Sequence, residues 1–155
     1  VGDEQREYTA TDLAMAVRRL DLTMSQMHLE MSERLGLSAA ELLALAHLSL
    51  DGSLGPTELT HRLHMTTGAM TAMLDRLAER DYVVRAPHET DRRRVVVRLT
   101  AGGRERIFTQ VHGMAGSVVA ASRRLDAEQR RTVAAYLEEI AGVIGAPDPA
   151  SGASG

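Results

Sequence analysis

Three consecutive arginines, Arg92, Arg93 and Arg94, follow Asp91 in a chain of 155 residues whose 18 basic side chains are all arginine. A guanidinium presents a planar fork of donors that meets a phosphate or a base edge with two bonds at once. On a protruding loop, such a run is chemistry for a polyanion; buried in nothing, it would otherwise be no more than a solvated charge run. Upstream, Thr66, Thr67, Gly68, Thr71 and Arg76 fall within one short segment. If that segment is a helix, its outward face is small and hydroxyl-bearing, and Arg76 adds a cation. Such a face can approach base edges and thymine methyls in a groove about 12 Å wide.

Two other constellations carry possible chemistry. Glu58, His61 and His64 stand at i, i+3 and i+6, and Glu-x-x-His is a spacing used by di-iron helices. A di-iron bundle needs two such motifs and two further glutamates, so surface or phosphate contact is the preferred reading and a metal-responsive site the lesser one. His28, His47, Phe108 and His112 lie on or beside apolar helical stripes. If their helices converge, they would line a cavity in which neutral imidazoles bond an acid or a phenol; satisfied core or surface histidines are the plainer alternative. For an enzyme, the chain offers no glycine-rich phosphate loop, no nucleophile motif and no paired acid with a base partner. No catalytic residue, metal or cofactor is expected.

The elements that must hold these residues are legible from periodicity. Leu13, Val17, Leu20, Met24, Met27 and Met31 alternate at spacings of four and three, giving a long helix with a narrow stripe that suits a seam between copies as well as a monomer core. Ser38 and Glu41 form a capping box for a second helix, apolar nearly all round and expected to be buried. Asp51-Gly52 and Gly55-Pro56 then mark turns, and a helix of about two turns runs to Leu63. Thr66 caps the next helix, whose apolar face is Met70, Met73, Leu74 and Leu77. Two short helices joined by three or four residues read as a helix-turn-helix.

From Tyr82 the pattern changes to two β-branched runs, Tyr82–Arg85 and Val95–Thr100, separated by the arginine-rich loop, which reads as a hairpin. A helix from about Arg104 and a last helix capped by Asp126 complete the chain, ahead of a Pro-, Gly- and Ser-rich tail with the composition of disorder. A helix-turn-helix followed by a basic hairpin is a winged helix, and its logic for DNA is direct. The second helix fits the major groove while the hairpin tip reaches the flanking minor groove.

Charge is distributed to match. Residues 1–60 carry a net −6, residues 61–131 a net +6 and residues 132–155 a net −3, so an overall charge of −3 hides a basic middle. The absence of lysine is also what codon bias would produce. With zero cysteines, disulfides, thiol catalysis and Cys-ligated zinc are excluded. No apolar run approaches the ~20 residues that span a bilayer, and no charged segment followed by an apolar one opens the chain, so a cytoplasmic location is expected and no membrane partner.

The stretches Thr66-Thr-Gly-Ala-Met-Thr71, Leu74-Asp-Arg-Leu77, Tyr82-Val-Val-Arg85 and Asp91-Arg-Arg-Arg94, the last running on to Val-Arg-Leu-Thr-Ala-Gly-Gly103, resemble the DNA-binding lobe of the MarR (multiple antibiotic resistance regulator) family. The resemblance in motif covers about residues 56–103; the flanking helices fit by length and order. It implies a mainly α fold: one domain over 1–145, with a winged helix-turn-helix lobe over about 38–100 and a two-stranded β wing. Dimerisation helices would span about 9–35 and 104–144, and 146–155 would be a disordered tail. It further implies a homodimeric regulator of transcription that binds a pseudo-palindromic operator in double-stranded DNA. Such regulators are usually repressors released by a small phenolic or anionic ligand.

Carried over by position, Thr67, Gly68 and Thr71 fall on the recognition helix, Arg93 on the wing residue that enters the minor groove, and Asp91 on the residue that orients it. Three positions depart from the family pattern. Ala72 stands where many members have a long polar residue, Thr66 where some have an acid able to pair with the wing arginine, and Asp81 where a glycine usually ends the recognition helix. A winged helix that recognises protein is the rival reading; it would favour acidic or apolar residues on the second helix and wing, and the arginines argue against it.

Overall fold

Two capping boxes start the first two helices. Thr9 and Ser38 adopt extended backbone, and each hydroxyl accepts from the amide three residues on, while the carboxylates of Asp12 and Glu41 accept from the cap amides at 2.9 and 2.8 Å. Two orphan donors are thereby satisfied at each helix start. The computed structural model describes residues 7–88, 90–91 and 93–145, and within these every side chain except those at 111, 112 and 114. The order is α1 (Ala10–Leu35), α2 (Ala39–Asp51), β1 (Ser53–Leu54), α3 (Pro56–Arg62), α4 (Thr67–Glu79), β2 (Val83–Pro87), β3 (Val95–Leu99), α5 (Ala101–Ser122) and α6 (Ala127–Gly145). The chain falls into two units, one ending at Gln110 and one starting at Val111.

In the first unit, the core is built from α2, α3, α4 and the sheet. Leu45, Leu48, Leu59, Met70, Met73, Leu74, Leu77 and Val97 are its fully buried large side chains. The i, i+3, i+4, i+7 set Met70, Met73, Leu74 and Leu77 puts one face of α4 into this core and leaves the opposite face to solvent. α2 is less enclosed than its leucine content predicts: Leu42, Ala44, Leu45 and Leu48 are buried, whereas Leu43 is 49% and Leu50 85% exposed in the single chain. An all-round apolar pattern says how much surface a helix must bury, without saying that its own chain supplies the cover.

The expected two-stranded wing is the β2–β3 hairpin, and a short third strand, β1, joins its sheet. The order is β1-β3-β2, all antiparallel, with Ser53 opposite Arg98 and Leu54 opposite Val97 on one side, and Val83 through Pro87 opposite Leu99 through Val95 on the other. A two-residue strand has no periodicity of its own and exists because β3 offers it a partner. Pro87, expected in the loop, ends β2 on the sheet edge, where its missing N–H interrupts no ladder.

α5 starts at Ala101, about three residues before the expected Arg104, so Gly102 and Gly103 are helical. Gly103 explains itself: a Cβ there would stand 2.2 Å from the Tyr82 carbonyl oxygen. Gly36 and Asp81 end α1 and follow α4 at φ +59 and +54; Gly36 adopts that region without strain, and Asp81 is a non-glycine residue held there. In the second unit, Asp126 and Gln129 exchange bonds of 2.8 and 2.9 Å as a cap. No described residue of α6 is buried, and Val133, Leu137, Val143 and Ile144 are 43–70% exposed. Among the described residues, no helix is long and apolar enough to cross a membrane.

Candidate nucleic-acid interface

α4 begins at Thr66, whose hydroxyl accepts from the Ala69 amide at 3.3 Å. Thr66, Thr67, Gly68, Thr71, Ala72, Asp75 and Arg76 are all exposed, and a methyl built on Gly68 would meet nothing within 4 Å. The helix therefore presents a low, smooth ridge at its N-terminal half. Asp75 is paired with Arg85 of β2 at 2.9 Å, and Arg76 donates from Nε to Glu41 at 3.2 Å while its side chain stays 57% exposed. Arg76, the cation expected on this face, and Arg85 thus both carry carboxylate partners in this structure.

Glu41 is the buried end of that link, 8% exposed at its side chain. Burial pushes its carboxyl up, but the Ser38 amide and hydroxyl, together with the Arg76 guanidinium, outweigh it and leave the pKa below the usual 4.5. One carboxylate thereby caps α2 and holds α4. The sequence signalled only the cap.

At the wing tip, Asp91 shapes the turn. Its Oδ1 accepts from the Arg93 amide at 3.1 Å, its carbonyl accepts from the Arg94 amide at 2.9 Å, and the Arg94 carbonyl accepts from His88 at 2.8 Å. This side-chain-to-amide turn is what aspartate supplies in a loop. Arg93 and Arg94 are exposed, and neither has a carboxylate partner among the described residues; Arg92 lies outside them. Arg94 also borders an open cleft of about 620 Å³ shared with Pro56, Thr57, His61 and Arg62.

Glu58, His61 and His64 do not assemble a metal centre. Glu58 accepts from Arg62 at 2.6 Å, and Arg62 also donates to Asp51 at 2.5 Å, an arrangement that raises the guanidinium pKa, Asp51 contributing most. His64 occupies the α3–α4 turn at φ +50. Among the described residues, no three His, Asp or Glu side chains could hold an ion. Of the histidine set, His28 is exposed, Phe108 is 60% exposed, and His47 is half-buried with Nδ1 3.4 Å from Arg62. The side chain of His112 lies outside the described residues, as does the tail 146–155. None of the other three lines the cleft beside Arg94, or a second one bordered by Leu35, Gly102, Arg106 and Gln110.

Sequence reasoning missed the contacts at the far end of α4. Arg80 donates to the carbonyls of Leu35 and Gly36 at 2.6 and 2.8 Å. Arg106 donates to the carbonyls of Arg80 and Asp81 at 3.0 and 2.5 Å, and the Tyr82 ring lies 5.5 and 4.3 Å from the two guanidinium carbons. Thr100 and Gly103 lock the same junction: the Thr100 hydroxyl donates to the Asp81 carbonyl and accepts from the Gly103 amide, both at 2.8 Å. The Thr-x-x-Gly spacing was the only trace of this in the sequence.

Comparison with known proteins agrees with this geometry. The MarR family profile matches residues 37–95, which span α2 to the start of β3. The multiple antibiotic resistance protein MarR of Escherichia coli is 32% identical over 108 residues, covering 68% of this chain and 74% of that protein. The HTH-type transcriptional repressor MdtR of Bacillus subtilis is 31% identical over 93 residues, covering 60% of each chain. Among solved structures, the reduced form of MarR from E. coli superposes with a TM-score of 0.53 at 28% identity, over 87% of this chain and 98% of that one. A MepR mutant from S. aureus reaches 0.69 at 16% identity over 90% and 99%, a likeness of fold alone.

Proposed function

Because this chain belongs to the MarR family and is a DNA-binding regulator of transcription, we propose that it acts as a homodimeric repressor on a pseudo-palindromic operator. The observation that carries this reading is the pairing of two exposed surfaces in one unit: the low ridge of Thr67, Gly68 and Thr71 on α4, and the guanidiniums of Arg93 and Arg94 at the wing tip. The ridge enters the major groove, and Arg93 enters the minor groove beside it, where a narrow groove focuses negative potential on a cation. Thr66 closes the ridge at its N-terminal end. Arg76, Arg92 and Arg94 supply phosphate contacts, which position the protein without reading sequence.

Ala72 has no reach, so few bidentate base contacts are available and readout leans on thymine methyls and on groove shape. Two-fold symmetry is supported by the apolar surface that the single chain leaves uncovered. Leu13 and Leu20 on α1 are 43% and 52% exposed, and α6 adds Val133 and Leu137. Release by a small phenolic or anionic effector follows the usual behaviour of the family.

The test is an electrophoretic shift with a duplex enriched by the wild-type chain from a random pool, and with an unselected duplex of equal length. Arg93→Ala should weaken binding to the enriched duplex by about 1–3 kcal/mol at matched salt. Equal affinity of the wild type for both duplexes would refute sequence-specific recognition, and an unchanged Arg93→Ala would refute the role given to the wing.

A further inference from the structure

Two helices of the first unit end on arginines borrowed from elsewhere. The last carbonyls of a helix have no partner within it, and a cation there is favoured by both hydrogen bonding and the helix dipole. α1 ends on the guanidinium of Arg80, which stands at the C-terminal cap of α4 and bonds the Leu35 and Gly36 carbonyls. The end of α4 is in turn held by Arg106 of α5, on the Arg80 and Asp81 carbonyls. Tyr82, 4% exposed, fills the space beside both guanidiniums. The result is a chain of caps running from α5 to α4 to α1.

Arg80 invites assignment as one more phosphate contact of a basic recognition helix. Its place argues otherwise. It lies nine residues beyond Thr71, and at 3.6 residues per turn that is about half a turn around the helix axis from the exposed ridge. Its two terminal nitrogens are both spent on carbonyls of α1. A fork that satisfies two adjacent carbonyls requires the planar guanidinium, which a lysine cannot reproduce.

We propose that Arg80, together with Tyr82 and Arg106, is a positioning device that fixes the angle of the recognition helix against α1 and α5 and makes no contact with DNA. Specific recognition depends on that angle, because base-edge contacts tolerate little displacement, whereas phosphate attraction on random DNA is insensitive to it. The inference rests on the DNA-binding reading above.

The experiment uses the full chain, the duplex it enriches from a random pool, and an unselected duplex of equal length. Affinities of wild type, Arg80→Lys, Arg80→Met and Arg106→Lys are measured across a salt series, with cooperative thermal unfolding confirmed for each. The expected result is that Arg80→Lys loses affinity for the enriched duplex by roughly 2- to 30-fold, the range for a coupling residue, and that Arg80→Met loses as much. Binding to the unselected duplex should be unchanged, with the same slope of log affinity against log salt.

A phosphate contact behaves oppositely. Arg80→Lys would then bind as wild type, while Arg80→Met would weaken on both duplexes with a slope shallower by about 0.9; either result overturns the inference. Should either Arg80 variant fail to unfold cooperatively, Arg106→Lys carries the same comparison, since it leaves Arg80 in place and loosens only the end of α4. Wild-type affinity of Arg106→Lys for the enriched duplex would then overturn the inference. A wild-type chain that enriches no duplex would overturn the DNA reading itself, and this inference with it.

Discussion

Replacing Gly103 by alanine should destabilise the protein even though alanine is the better helix former. The added Cβ would lie 2.2 Å from the Tyr82 carbonyl oxygen and 2.8 Å from its carbon and Cα. These are backbone atoms and cannot rotate away. The Tyr82 peptide is held on both sides: its amide donates to Leu77 at 2.9 Å and its carbonyl accepts from the Thr100 amide at 3.0 Å. Relief therefore requires the start of α5 to move outward by about 1 Å, which strains packing at about 1–3 kcal/mol and disturbs the Thr100 bonds at about 0.5–1.5 kcal/mol. The helix gain of about 1 kcal/mol offsets part of this, leaving a net loss of about 0.5–3.5 kcal/mol.

For a chain of this size that loss lowers Tm by roughly 1–14 °C. Gly102→Ala is the internal control in the same turn, since its Cβ would meet only the Asp81 carboxylate oxygen at 3.0 Å, the end of a side chain that can swing aside. It should be neutral or slightly stabilising. Thermal and urea unfolding of the two variants decide the matter. If Gly103→Ala melted at or above wild type, the close approach of α5 to Tyr82 would not exist as described.

Two further outcomes follow from the site. Glu41 has a depressed pKa in the folded protein, so the unfolded chain binds its proton more readily. Its contribution is complete above about 4.5 and is lost as pH falls through the lowered value. Glu41→Gln should therefore flatten the acid limb of stability, read as the urea midpoint between about pH 3 and 6, and an unchanged pH profile would contradict the link between α2 and α4. Gly68→Ala should raise stability by about 0.4–1 kcal/mol, since the new methyl meets nothing in the protein, yet reduce affinity for the enriched duplex by placing that methyl on the recognition ridge. Equal affinity would show that the N-terminal half of α4 does not approach DNA closely.

The helices were legible because their information is local. Ser38 with Glu41, Thr66, and Asp126 announce helix starts, and the three-and-four spacing of Met70, Met73, Leu74 and Leu77 announces which face is buried. The wing arginines were legible for the same reason, since four consecutive residues state both the turn and the charge. What the chain hid was pairwise and distant. β1 forms only against β3, Gly102 and Gly103 look like a breaker until the Tyr82 backbone is seen beside them, and Arg80 reaches carbonyls that lie 44 and 45 residues earlier in the chain. Arg76 reads as a surface cation because its partner Glu41 lies 35 residues earlier, on another helix. The exposure of Leu43 and Leu50 is equally invisible to periodicity, which registers apolar faces and not what covers them.

The most direct test of the central claim is a hydroxyl-radical footprint of the wild-type chain and of Arg93→Ala on the enriched duplex. A two-fold protein with α4 in the major groove and Arg93 in the minor groove predicts two symmetry-related protected patches. Their centres should be about one helical turn apart, 10–10.5 base pairs, with outer minor-groove protection that disappears in Arg93→Ala while the inner patches persist. A single asymmetric patch, or outer protection that survives the substitution, would contradict it.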